Sequence, residues 1–268
     1  MRLKGARALV TGASSGIGKA IAEGFLCEGA EVWGTSRDPA TAGLDSRIHP
    51  LRLDIGCSSK IDDDWMSQEL ESIEFDIVVN NAGSGVFGRF STSEFDDWES
   101  QVATLLVGTM KMTRLVLPGL IKRKGYLVNV SSLAAEFPVP FMSAYNASKA
   151  GLSAFTESVI LETQASGMKT IDLRPGDIKS EFNVNMTVKS GKIENQGCMN
   201  KVWKRIEKRI IKSPPPELVA VTLCKAIQKN RSGVIRAGTP FQAVLAPLVS
   251  RLLPGKFIRA GNMSYYTK

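Results

Sequence analysis

Histidine is almost missing from this 268-residue chain: the single one, His49, stands before Pro50. With no second imidazole to share a ligand set, a histidine-built metal centre and a Ser-His-Asp hydrolase both fall away, and no metal is expected. Cysteine is scarce too. Cys27, Cys57, Cys198 and Cys224 are far apart, with neither a C-x-x-C pair nor a metal-ligand spacing, so reduced structural thiols are expected. There is no internal repeat and no low-complexity segment. The opening residues lack the charged, apolar, small-residue order of a signal peptide, so export is not expected and a cytoplasmic location is. The apolar stretch Phe241–Leu253 is broken by Pro247 and Arg251 and is too short to span a bilayer. No recognised nucleic-acid motif is present, and no nucleic-acid partner is expected.

What the chain has is apolar content and positive charge. A hydrophobic share of 43% supplies one large core, so a single domain over 1–268 is expected, with a lid segment at 177–216 and a tail at 240–268. The formal net charge of +8 steers the protein toward anions: nucleotide phosphates, an acidic partner or an anionic membrane surface.

Apolar strands alternate with amphipathic helices along the chain. Strand-like runs lie at Ala6–Val10, Glu31–Thr35, Ile48–Leu53, Asp76–Asn80, Gly125–Ser132, Lys169–Arg174 and Gly233–Arg236. Helices are expected around Lys60 to Ile73, from Asp96 to Pro118, through Tyr145 to about Gly167, and from Glu217 to Lys229. That order predicts an α/β fold: a single-domain, doubly wound parallel sheet, Rossmann-like, of about seven strands with helices on both faces. Between the first strand and the first helix lies Thr11-Gly-Ala-Ser-Ser-Gly-Ile-Gly18, where Gly12, Gly16 and Gly18 permit a tight turn and close backbone approach to a phosphate at the helix N-terminus. The second strand ends at Ser36-Arg37. An acid there would accept from a ribose 2′-hydroxyl, whereas Arg37 favours a 2′-phosphate and hence NADP(H).

Tyr145 and Lys149 are four residues apart in a helical run, so they share a face. A Lys cation near the Tyr hydroxyl is expected to lower the phenol pKa and let Tyr145 pass a proton.

With these pieces in order, the chain resembles the short-chain dehydrogenase/reductase family over roughly 5–240. The resemblance rests on Thr11-Gly-x-x-x-Gly-Ile-Gly18, Asp54-Ile55, Asn80-Asn-Ala-Gly83, Ser132, Tyr145-x-x-x-Lys149 and Pro175-Gly-x-x-x-Ser180, with Ser132 thirteen positions before Tyr145. It implies a catalytic set of Ser132, Tyr145 and Lys149. In this set Tyr145 exchanges a proton with the carbonyl or alcohol oxygen, Lys149 tunes Tyr145 and holds the nicotinamide ribose, and Ser132 holds the substrate oxygen. It further implies that Gly12, Ser14, Ile17 and the amides after Gly16 face the pyrophosphate, Asp54 the adenine amine and Asn81 the ribose, with Ser15, Gly16, Gly18, Arg37, Ile55, Ala82, Gly83, Tyr145 and Lys149 also in the cofactor site. Pro175, Gly176, Ile178 and Ser180 would line the nicotinamide. One departure stands out: the family usually carries Asn three residues before the Gly of the fourth long helix, where this chain has Leu105 before Gly108. Leu cannot donate or accept a hydrogen bond, so a proton relay through that position is put in doubt.

Phe87, Phe137, Val139, Phe141, Phe182 and Met186 are expected near the mouth of an apolar pocket, which points to a lipid-, steroid- or retinoid-like carbonyl or secondary alcohol. In the lid, Val202, Ile206 and Ile210 form an apolar stripe on a basic helix, 201–212, that packs either on the domain or at a lipid interface. A 3-oxoacyl thioester reductase meeting an acidic carrier protein stays open, as does a cofactor-binding regulator without turnover. The resemblance implies a homodimer or homotetramer through the helices around Thr104 and Leu152; a peripheral membrane contact through lid or tail also stays open.

Overall fold

Among the described residues nine strands follow one another: β1 (Arg7–Val10), β2 (Glu31–Ser36), β3 (His49–Arg52), β4 (Ile77–Asn80), β5 (Val86–Phe87), β6 (Tyr126–Val130), β7 (Lys169–Pro175), β8 (Thr187–Val188) and β9 (Gly233–Ala237). Strand β1 sends Ala8 and Val10 to one face of its sheet and Leu9 to the other, and all three are fully buried. A strand covered on both faces is apolar throughout, which is why its sequence shows no alternation. The computed structural model describes residues 1–56, 70, 72–180, 182, 186–188 and 196–267. Within them, seven strands form one sheet in the order β3-β2-β1-β4-β6-β7-β9. Every neighbouring pair in it runs parallel. The order reverses between β1 and β4, and open α/β sheets place their ligands at the carboxyl ends of strands at such a point.

Helices α1 (Gly16–Cys27), α2 (Phe95–Val102), α3 (Thr109–Arg123), α4 (Ser143–Thr163), α5 (Gln196–Ile211), α6 (Glu217–Gln228), α7 (Ala246–Ser250) and α8 (Gly255–Thr267) complete the described architecture. One face of the sheet is covered by Ile21 and Phe25 of α1 with Val219, Leu223 and Ile227 of α6; the other by Met112, Val116 and Leu120 of α3 with Val159 of α4. Polar groups fix the layers at the strand ends. Asn80 donates to Asn129 at 2.9 Å and to Thr113 at 3.1 Å, and Asn129 donates to Thr156 at 2.9 Å. A buried chain of this kind rewards one register, because any slip strands an amide without a partner.

Two features differ from the sequence expectation. The helix expected to stop at Pro118 continues to Arg123 with Pro118 inside it. Pro118 is on the exposed side, where water can satisfy the carbonyl freed one turn earlier. Between α2 and α3 the helix widens into a π segment, Ala103–Gly108, and at its end the backbone comes so near the Ile55 carbonyl that a Cβ at Gly108 would collide with it. The polar helix expected around 60–73 falls mostly outside the described residues, as does Cys57.

Candidate active site

The glycine turn between β1 and α1 is built against the end of β4. Gly12 has φ +65° and Gly16 φ +54°. A Cβ at Gly12 would lie 2.9 Å from Ala82 Cα, and one at Gly18 would collide with the Gly12 carbonyl and the Asn81 amide. The turn is also tied down. Thr11 Oγ1 accepts from the Asn81 and Ala82 amides at 2.9 and 3.1 Å, Asn81 Nδ2 donates to the Thr11 and Gly12 carbonyls, and Gly12 N–H donates to Thr35 Oγ1 at 3.2 Å. Ser14 is half-buried and Ser15 exposed, while the half-buried Ile17 packs against the core. The first turn of α1 carries no acid, so the positive end of the helix faces this cradle without an internal anion.

The carboxyl ends of β2 and β3 border the same cradle. Arg37 is exposed just past β2, and beside it Ser36 Oγ is buried with no hydrogen-bond partner among the described residues. A buried hydroxyl without a partner is uncommon and marks a place where a polar ligand atom fits. Asp54 accepts from the Gly56 amide at 3.2 Å, and Ile55 is buried in the core. Gly83, exposed at its rim, completes the edge.

Ser132, Tyr145 and Lys149 come together where β6 meets α4. Ser132 follows β6 and caps a short turn, accepting from the Ala134 amide at 3.0 Å, and its side chain hydrogen-bonds the Tyr145 hydroxyl. Lys149 is buried; its Nζ lies 5.8 Å from the Tyr145 ring centre and donates to the Val130 carbonyl at 2.7 Å. The electrostatics run against the expectation from spacing. Burial pushes the Tyr145 phenol up from its ordinary range, with the Ser132 hydrogen bond opposing. Burial also pushes Lys149 down to about 8, with the charge of Asp172 opposing. Desolvation, which sequence spacing does not reveal, outweighs charge proximity at this pair.

Asp172 on β7 is a group the sequence reading missed. It is buried at 2% exposure and accepts from Ser131 Oγ, from Ser153 Oγ at 2.6 Å and from Arg174 Nε at 2.7 Å. Arg174 also reaches Glu136, which takes Arg236 at 2.7 Å. Breaking one partner of a buried pair costs about 3–5 kcal/mol. Asp172→Asn is therefore expected to lower thermal stability and, by removing the charge that supports the Lys149 cation, to drop the Lys149 pKa below about 8. The pH profile of kcat/KM for reduced cofactor reads this: in the parent chain it should be flat below about 8 and fall above it, and in the variant the break should move to lower pH. An unmoved break would contradict the coupling.

An apolar cluster lies directly over this site. Phe87, Met142, Met186, Met199, Val202, Ile206 and Tyr266 are buried together, with Val139, Phe141, Phe182, Trp203 and Tyr145 itself packed against them. The Phe182 ring centre is 5.7 Å from that of Tyr145, and Phe87 contacts Trp203 at 4.9 Å and Phe141 at 5.7 Å. Phe141 has φ +65°, rare for a bulky residue, and its carbonyl accepts from Gly88 N–H at 2.9 Å. Strands β5 and β8 form a separate two-stranded parallel pair that frames the cluster. Phe137 is not part of it; its amide turns back to the Leu133 carbonyl.

The segment after β7 is latched to the tail. Pro175 ends β7, and Gly176 N–H donates to the Ala237 carbonyl at 2.7 Å. Ile178 is buried in the main core, and Ser180 is half-buried. Asp177 holds Arg209 of α5 at 3.0 Å and accepts from the Tyr265 hydroxyl of α8 at 3.2 Å. The Arg209 guanidinium stacks 3.2 Å over the Tyr265 ring, and Gln242 donates to the Tyr265 hydroxyl at 3.0 Å.

A family model described as short chain dehydrogenase matches residues 6–190 of the chain. The chain belongs to the short-chain dehydrogenase family. A 3-ketodihydrosphingosine reductase of Bacteroides thetaiotaomicron is 29% identical over 91% of this chain and 89% of its own length. A serine 3-dehydrogenase of Agrobacterium fabrum is 32% identical over 74% of this chain and 80% of its own. A solved short-chain dehydrogenase from Streptomyces avermitilis superposes with a TM-score of 0.79 at 24% identity, covering both chains fully.

Within this dehydrogenase, the departure at Leu105 has a packing reason. Leu105 is 1% exposed, and its Cδ2 lies 2.5 Å from where a Gly83 Cβ would stand, so it fills the space beside the glycine. The neighbouring Thr104 turns its hydroxyl to Gly56, 2.5 Å from where a Cβ would lie there. Four cluster members are absent from the expected pocket set: Met199 and Trp203 come in on α5 and Tyr266 on α8, while Met142 directly precedes α4.

Proposed function

We propose that this dehydrogenase uses NADP(H) and acts on an apolar, lipid-like ketone or the matching secondary alcohol. The observation that carries this reading is that Tyr145, the one phenol bonded to Ser132, is itself packed into the apolar cluster roofed by α5 and α8. The relative named 3-ketodihydrosphingosine reductase supports a lipid-like ketone.

The cradle fits a dinucleotide phosphate: its backbone would be blocked by any Cβ at Gly12 or Gly18, and Ser36 Oγ lacks a partner beside Arg37 among the described residues. Gly12, Ser14, Ser15, Gly16, Ile17 and Gly18 would hold the pyrophosphate, Ser36 and Arg37 the 2′-phosphate, Asp54, Ile55, Asn81, Ala82 and Gly83 the adenosine, and Pro175, Gly176, Ile178 and Ser180 the nicotinamide side. The bound cofactor supplies or accepts the hydride. Tyr145, kept protonated by burial, donates its hydroxyl proton to the carbonyl oxygen in reduction, and Ser132 holds that oxygen with its own hydroxyl. Lys149, charged below about pH 8, stabilises the phenolate left behind.

Phe87, Val139, Phe141, Phe182 and Met186 would then contact the apolar part of the substrate. For straight-chain ketones, each added methylene buried there should raise kcat/KM about threefold to fourfold until the pocket is filled, from about 0.8 kcal/mol per CH₂. A flat or falling series would remove the lipid-like reading. A homodimer or homotetramer is proposed through the helical face on which Val107, Met110 and Leu161 are exposed.

A further inference from the structure

The tail carries an amphipathic helix with its apolar side facing out. Over the helical run Phe241–Ser250, Phe241, Val244, Leu245, Leu248 and Val249 recur at helical spacing, and Leu252 continues the row one turn on. In a helix that packs on its own domain this stripe would be buried. Here Val244 is 65% exposed, Leu248 57% and Leu252 80%, while Gln242 and Pro247 are turned inward. Leu253 and Phe257 extend the exposed row into α8.

The charges around the row are of one sign. No Asp or Glu follows Glu217, and Arg251, Lys256 and Arg259 are exposed, with no ion pair among the described residues. Lys256 Nζ lies 5.1 Å from the Phe257 ring centre, its stem along the apolar surface and its charge beside it. We propose that this face docks the protein on an anionic phospholipid bilayer, with the Leu248–Leu252 row in the acyl boundary and Arg251, Lys256 and Arg259 at the phosphates. A second copy of the chain fits this face less well. An isologous contact sets a patch against itself, and here it would oppose cations with no acid in the tail to answer them. A span is excluded by length and by Pro247.

The docking face borders the roof of the site. Helix α8 places Tyr266 in the apolar cluster, and Tyr265 ties that helix to Asp177 and Arg209. Docking itself stands on the tail alone; that it delivers a substrate laterally from the bilayer rests on the proposed lipid-like ketone.

Flotation of the full chain with vesicles tests the docking without any turnover. Phosphatidylcholine vesicles containing phosphatidylserine should carry the protein at low salt, with binding at least about tenfold weaker on phosphatidylcholine alone or at high salt. Leu248→Asp with Leu252→Asp should abolish binding, and Arg251→Gln with Lys256→Gln and Arg259→Gln should remove the lipid-charge dependence. These positions are exposed, so both variants should keep the parent's circular dichroism and its rate on a water-soluble ketone. No binding of the parent to either vesicle would overturn the proposal, as would binding that the aspartates leave unchanged. A parent that ignores vesicles while the aspartate variant sediments as a smaller oligomer would assign the face to a second copy instead. A chain that binds vesicles but reduces no lipid-like ketone would leave the docking standing and remove only the substrate reading.

Discussion

Phenylalanine in place of Tyr145 is expected to lower kcat/KM for carbonyl reduction by about 10²–10⁴-fold, the range that a positioned proton donor contributes. The substitution removes one oxygen and leaves the packing. The ring sits against Phe182 in an apolar surround, so an unsubstituted phenyl keeps its neighbours, and only the hydrogen bond to Ser132 is lost. Binding of NADPH, followed by quenching of protein fluorescence, should change little, because the proposed phosphate contacts lie on the glycine turn and past β2 rather than on Tyr145. Loss of turnover with retained cofactor binding separates a proton-transfer role from a structural one. Undiminished turnover would show that Tyr145 is not the donor and that the site described around Ser132 is not where the reaction occurs.

Aspartate in place of Arg37 is expected to weaken NADPH binding by about 10–100-fold and NADH binding hardly at all, inverting any preference. The magnitude follows from losing hydrogen bonds between a guanidinium and a phosphate, about 1.5–3 kcal/mol for a bond to a charged group, with like-charge repulsion added. The fold should tolerate the change. Arg37 is exposed, while the adjoining Ser36 hydroxyl and the Gly12–Thr35 tether are made by other residues. Binding isotherms for the two reduced cofactors, before and after substitution, give the result directly. Parallel losses for NADPH and NADH would mean that Arg37 does not read the 2′-phosphate.

Local chemistry was legible in the sequence and long-range coupling was not. Gly12, Gly16 and Gly18 announce a turn by themselves, since only glycine takes a positive φ or lets two backbones meet at no steric cost. Tyr145 and Lys149 likewise announce a shared helical face. Their ionisation could not be read the same way, because it depends on how deeply β6, α4 and β7 bury them and on Asp172, distant in sequence. The latch joining Asp177 to Arg209 and Tyr265 is of the same kind: three residues far apart in the chain, with no motif to mark them. Leu105 could be read as an apolar residue in an unusual place. Its close packing beside Gly83 appears only once the π segment at Ala103–Gly108 sets the helix against the end of β4. Phe137 shows the limit of reading a pocket from nearby aromatics, since its neighbour Val139 joins the cluster while Phe137 does not. Asn146 fixes Val139 there by donating to its carbonyl at 2.8 Å and accepting from its amide at 3.0 Å.

In the proposed reaction hydride moves between NADP(H) and a carbonyl carbon while Tyr145 moves the proton. A panel of ketones, from short and water-soluble to long-chain, incubated with NADPH and separately with NADH, measures this most directly when alcohol formed is compared with cofactor oxidised. One alcohol per NADPH is expected, with slower use of NADH, rates that climb with apolar chain length, and loss of all of this in the Tyr145→Phe chain. Tight NADPH binding with no alcohol from any ketone, or alcohol formation that survives the loss of the Tyr145 hydroxyl, would contradict it.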